Sequence, residues 1–189
     1  PGTEIKNLHG GVLGGILKKG KLKVGDEIEI NPGLNIKKGN QQTYKTVTTE
    51  ILSLHKGNNS VNEVFPGVSI SIETSLDPIM TKADSLNGCL VSKKGILPEI
   101  AHNVRINAKL FDEVLGTTEK KTIGPLKHKE MLMLSVNTTI TVGTVEKIKN
   151  NEVELSLNIP IIALKGDNVG IARNIQGHWR LIGWGEIIS

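Results

Sequence analysis

The chain has 189 residues, of which 38% are hydrophobic and 3% aromatic, with a formal charge of +4. That length and apolar content suit two cored domains of about 90–100 residues each and exclude a disordered chain. A single cysteine, Cys89, excludes a disulfide framework and a cysteine zinc site, and no apolar run reaches the roughly 18–20 residues of a spanning helix, so a cytoplasmic setting is expected.

The segment Pro1–Leu8 lacks an initiating methionine and begins on a turn pair, as a piece of a longer protein would. Gly10–Gly33 carries two glycine pairs, a basic turn at Lys18-Lys19-Gly20, and a strict alternation through Asp26–Ile30 closed by Pro32-Gly33. It reads as the first hairpin of a β-barrel, its glycines allowing a sharp bend or a close backbone approach. Residues 34–45 are polar and read as an exposed loop. Strands follow at Thr46–Leu54, Val68–Ile72 and Cys89–Val91, with a turn over His55–Asn62 and an irregular stretch from Leu76 to Gly88. Lys93-Lys94-Gly95 and Pro98 mark a boundary, which divides the chain into residues 1–97 and 98–189.

The second half is again all strand. Asn103–Phe111, Met131–Val136, Thr139–Val145, Val153–Leu157, Asn168–Asn174 and Trp179–Ile187 alternate, and Asp112–Lys129 is a polar loop. Pro160 demotes Ile159–Ala163 to an edge or a strand end. No stretch sustains the helical period, so the expected fold is all-β: two consecutive small β-barrels.

Gly15–Lys21 fits a phosphate-binding loop except that Leu22 stands where a Ser or Thr hydroxyl would hold magnesium, and a strand context supplies no helix N-terminus. The five histidines show no metal spacing, and no serine sits in a nucleophile elbow. Asp26, Glu27 and Glu29 read as a solvated strand face. No catalytic residue, metal ligand or cofactor site is therefore assigned. Lys18, Lys19, Lys21 and Lys23, with Lys37-Lys38 in the next loop, are either phosphate contacts for RNA or solubilising residues on turns. Trp179 and Trp184 read as core anchors.

The segment Gly177–Ile187, containing HWRLIGWG, resembles the signature of the gamma subunit of eukaryotic and archaeal translation initiation factor 2. Pro1-Gly2-Thr3, Gly10–Gly20, Leu22–Ile30 with Pro32-Gly33, Asp77-Pro78, Ala83-Asp84, Leu97–Ile100 and Glu130 with Leu132-Met133 agree in order and spacing. The resemblance implies the β-barrels called domain II and domain III of translation GTPases, without the GTPase domain that binds GTP and magnesium. It implies a non-catalytic part of a factor that delivers methionyl initiator tRNA to the small ribosomal subunit. Its partners would be the alpha and beta subunits, the tRNA end, and an assembly chaperone near domain III. Carried onto this chain, the implied RNA contacts are Lys18, Lys19, Lys56, Lys82 and Arg173, and the implied subunit contacts Lys37, Lys38 and Tyr44. The chain departs from the family at Ser71–Thr74, Lys82–Ser85, Asp112-Glu113 and Ala172–Asn174, where arginines and glycines are lost. The same double barrel in a selenocysteine-specific elongation factor is the alternative.

Overall fold

The computed structural model describes residues 10–39, 41–115 and 122–189; the turn at Pro1-Gly2, His9 and the middle of the 112–129 loop lie outside the described residues. The chain divides into two compact units, Pro1–Leu97 and Pro98–Ser189.

In the first unit the strands are β1 (Val12–Ile16), β2 (Leu22–Lys23), β3 (Glu27–Lys38), β4 (Gln41–Lys56), β5 (Asn59–Val61), β6 (Glu63–Val64), β7 (Ser69–Thr74) and β8 (Leu90–Lys93). They form an open, curled antiparallel sheet in the order β1-β7-β4-β3-β8, with β5 added to β4 and a separate β2-β6 pair. Short 3-10 turns over Pro78–Asp84, broken at Lys82 and Ala83, lie between β7 and β8. Ile28, Ile51, Leu54, Ile70 and Ile72 form one buried cluster, and Ile30, Val47, Leu76 and Leu86 another; Leu13 and Val91 pack against both.

The opening stretch is not a hairpin. β1 pairs with β7, matching Leu13 to Ile72, while β2 pairs with β6 and β3 with β4 and β8. Packing Leu13 over Ile72, against both buried clusters, decides the partner. Of the glycine pairs, Gly10-Gly11 lies against Thr74 and Thr81, whereas Gly14 and Gly15 face open space.

Residues 34–45 are strand rather than loop. β3 and β4 continue as a two-stranded arm as far as the Lys38–Gln41 pair; Leu34 at its base still packs against a core cluster, but beyond it the residues are mostly polar and hide the alternation. Pro32-Gly33 ends no strand. Ile30 pairs with Val47 and Leu34 with Lys45, so Asn31, Pro32 and Gly33 oppose Thr46 alone in a bulge. The buried Asn31 is satisfied there, its Oδ1 accepting from Thr46 Oγ1 at 2.6 Å.

In the second unit, β9 (Ile100–Leu110), β10 (Met131–Val136), β11 (Thr139–Lys149), β12 (Glu152–Ile162), β13 (Asn168–Ile175) and β14 (His178–Ile187) close into a barrel in the order β10-β11-β12-β9-β14-β13. Its interior holds Ile106, Leu132, Leu134, Leu155, Ile171, Ile182 and other alternating apolar residues. Closure brings β14 against β9 so tightly that a Cβ on Gly183 would lie 2.3 Å from the Lys109 carbonyl oxygen.

Pro160 falls near the end of β12, as expected, and is buried where the pairing with β9 skips from Ser156 to Ile161. The interrupted ladder tolerates its missing N–H, and the Thr141 hydroxyl instead serves its neighbour Ile159, donating to the carbonyl at 2.8 Å and accepting from the N–H at 3.0 Å. Trp179 and Trp184 are not core anchors: they are 39% and 40% exposed on the outer face of β14, and the interior beside them is filled by Ile182 and Ile187.

Gly33 tests the bulge. Its φ is +83°, and a Cβ would lie 2.1 Å from the Lys45 carbonyl oxygen. Gly33→Ala is expected to cost about 2–3 kcal/mol, from positive φ and steric displacement together. Gly39→Ala, at φ +58° in open space, should cost about 1 kcal/mol. Urea unfolding of the two variants measures the difference; equal losses would mean that Gly33 is not packed as described.

Candidate partner and nucleic-acid surfaces

The outer face of the β1-β7-β4 sheet carries the densest polar cluster of the first unit. Alternation sends Leu54, Ile70 and Ile72 inward and leaves Ser53, His55, Ser71 and Glu73 outward. Together with Val12 these four line an open hollow of about 330 Å³. Ser53 Oγ donates to Glu73 Oε2 at 2.7 Å and lies 3.3 Å from His55 Nε2. This is not a hydrolytic triad: the serine proton points at the carboxylate, and the acid does not orient the imidazole. The cluster offers donors and acceptors for hydroxyl, amide or ammonium groups of a ligand. The sequence reading placed His55 in a turn among unremarkable histidines. Its signal was the alternation Ser53-Leu54-His55, which continues past the expected strand end.

The lysines are divided by the same ladder. Gly14 and His55 both pair with Ser71, so the C-terminal ends of β1 and β4 lie together. Exposed Lys18 and Lys19 follow β1 and half-buried Lys56 ends β4, which puts these three expected RNA contacts at one end of the sheet. Lys21 and Lys23 both approach Glu63, at 4.0 and 3.7 Å. Lys82 belongs to the opposite end, in the broken 3-10 segment whose Thr81 packs at Gly11.

On the β3–β4 arm, Lys37 pairs with Gln42 and Asn35 with Tyr44, so Lys37 and Tyr44 share one face; the Lys38–Gln41 pair ends the ladder, and the Lys38 side chain lies outside the described ones. Gln42 Nε2 donates to Tyr44 Oη at 2.9 Å. Partial burial pushes the Tyr44 phenol up, which keeps it a neutral donor and acceptor at neutral pH. Burial likewise raises the Cys89 thiol, whose Sγ faces the Gly33 carbonyl at 3.9 Å.

Arg173, expected to face RNA, is turned to the protein. Its guanidinium binds both oxygens of Glu130 and donates to the Gly124 and Pro125 carbonyls at 3.0 Å each. Both partners are mostly buried, with side chains 19% and 16% exposed. Among the described residues no cluster of His, Cys, Asp and Glu could hold a metal, and no helix is long and apolar enough to cross a membrane.

The comparisons bear on this geometry. The crystal structure of a bacterial selenocysteine-specific elongation factor superposes with a TM-score of 0.71, at 18% identity, over 96% of this chain and 25% of that one. The fold is therefore shared with part of that factor. Residues 102–187 match the family described as initiation factor eIF2 gamma, C terminal. Translation initiation factor 2 subunit gamma of Methanocaldococcus jannaschii is 46% identical over 99% of this chain, and that of Pyrococcus horikoshii 44% over 99%. The chain belongs to the translation initiation factor 2 gamma family. It spans about half the length of the curated relatives it matches, 46% in both cases.

The best-defined surface charge pair of the first unit makes a pH test. The Lys93 ammonium, 2.8 Å from Asp26 Oδ2, holds the Asp26 carboxyl below its ordinary 3.8 against partial burial, with help from the Lys23 N–H. A carboxylate depressed by folding stabilises above its unfolded pKa and loses that contribution as pH falls through the lower folded value. Lys93→Ala should therefore cost about 0.5 kcal/mol at neutral pH, since the pair is solvent-screened, and nothing once Asp26 is protonated. Urea midpoints across the acid range measure it; a pH-independent cost would assign the loss to packing.

Proposed function

We propose that this chain is the partner-binding, non-catalytic part of a translation initiation factor 2 gamma subunit. The carrying observation is 43–46% identity to gamma subunits across essentially the whole chain. Its first unit acts as domain II and its second as domain III. GTP and magnesium would bind on a part of the protein outside this stretch, in the cytoplasm. The whole factor, with its alpha and beta subunits, would deliver methionyl initiator tRNA to the small ribosomal subunit, and the second unit would offer a surface to an assembly chaperone.

Within this role the arm face with Lys37 and Tyr44, and Lys38 beside it, docks the alpha subunit, because an unaccompanied strand pair presents side chains on both faces. The hollow of Ser53, His55, Ser71 and Glu73 takes the aminoacylated tRNA end, with Lys18, Lys19 and Lys56 toward its phosphates and Lys82 further off. The lysines position RNA as point charges and do not read sequence. The fold likeness to the selenocysteine-specific factor, at 18% identity, speaks to the fold alone and does not favour that alternative.

Pull-down and titration test the assignment. Tyr44→Ala combined with Lys37→Glu should weaken alpha-subunit binding about tenfold and leave initiator tRNA binding intact. Lys18→Glu with Lys19→Glu should do the reverse. A chain that captures no alpha subunit, or variants that change neither affinity, would refute the reading.

A further inference from the structure

The stretch from Ile123 to Glu130, before β10, is held at several points. Ile123 donates its N–H to the Asp112 carbonyl, and Ile123 and Leu126 pack against the barrel core. Arg173 grips the Gly124 and Pro125 carbonyls, and the Glu130 it binds accepts from the Lys127 N–H at 2.9 Å. Lys129, at φ +60°, donates its N–H to the Val145 carbonyl, and its ammonium pairs with Glu146. Two carboxylates that brace the turn are thus held by cations, Glu130 by Arg173 and Glu146 by Lys129. Lys127 and His128 remain, exposed at the tip, with no ion pair among the described residues. They border an open hollow of about 420 Å³ that Arg173 and Glu130 also line.

We propose that Lys127 and His128 form a contact site for the phosphate backbone of RNA on the second unit, with Arg173 as the positioning residue that holds their turn. The proposal rests on the reading above that the chain works among RNA molecules. Holding the loop in advance lowers the ordering cost of a lysine contact, and Glu130 and Glu146, each paired with a cation, repel a phosphate less than free carboxylates would. The arginine that a sequence reading would set against RNA acts through the loop instead. Its four hydrogen bonds leave little of the guanidinium to offer a ligand.

The test is fluorescence anisotropy of a labelled RNA hairpin on the full chain, from about 50 to 250 mM potassium chloride, a range over which phosphate contacts weaken steeply. Lys127→Ala with His128→Gln, both exposed changes, should leave the melting temperature unaltered, weaken binding about fivefold at low salt and lower the salt slope by about 0.7–0.9. Arg173→Lys keeps the charge but loses the fork; it should weaken binding in the wild type and add nothing in the double variant, since the effects share one turn. Unchanged affinity and slope in the double variant would overturn the site, and an additive Arg173→Lys effect would overturn the positioning role. If Lys18→Glu with Lys19→Glu abolishes binding while the double variant keeps it, the turn is excluded and the proposed function stands. Failure to capture alpha subunit with RNA binding at the turn intact would remove that function and leave this contact. A labelled polyglutamate that binds this turn more tightly than the RNA would overturn the choice of RNA.

Discussion

The register between β3 and β4 is the constraint on which the first unit depends. Side chains alternate with period two, so a one-residue slip would send Ile28 and Ile30 to solvent. The Asn31–Gly33 bulge resets the pairing where β8 stops, at the Asn31–Leu90 pair. Before it β3 is an inner strand with partners on both sides; after it, half of an arm. One continuous strand pair therefore serves both the core and the arm, and the bulge separates the two.

The second unit meets a different demand. A closed ring leaves no unpaired edge, but closing it requires two strands to approach without side chains in the way. Gly183 meets that requirement at the β14–β9 seam, and the skipped pairing around Pro160 takes up the mismatch between β12 and β9. With the barrel closed, Arg173 and Glu130 shape a loop on its outside rather than holding the ring together.

The all-β class, the boundary at Leu97–Pro98 and most strands of the second half were legible because alternation, turn residues and chain length all pointed the same way. What misled were signals whose local meaning depends on distant pairing. Pro32-Gly33 and Pro160 did mark irregular backbone, but as part of strands: Thr141 satisfies the backbone of Ile159 beside Pro160, and in the first bulge Thr46 satisfies the buried Asn31 side chain. β1 could not be assigned to β7 from sequence, since more than fifty residues separate them and only the burial of Leu13 over Ile72 selects the partner. The outward cluster of Ser53, His55, Ser71 and Glu73 was invisible for the same reason: it exists only once β4 and β7 lie side by side. The tryptophans misled through a preference for burial that a small barrel full of aliphatic side chains has no room to honour.

Those tryptophans have an optical consequence. Both lie on β14, about 40% exposed, and the Lys109 ammonium sits 4.9 Å from the Trp184 ring centroid. The first unit contains no tryptophan at all. Tryptophan emission from this chain is thus a view of one strand of one unit, already red-shifted by water in the folded state. Anything covering the outside of β14 would move that spectrum directly.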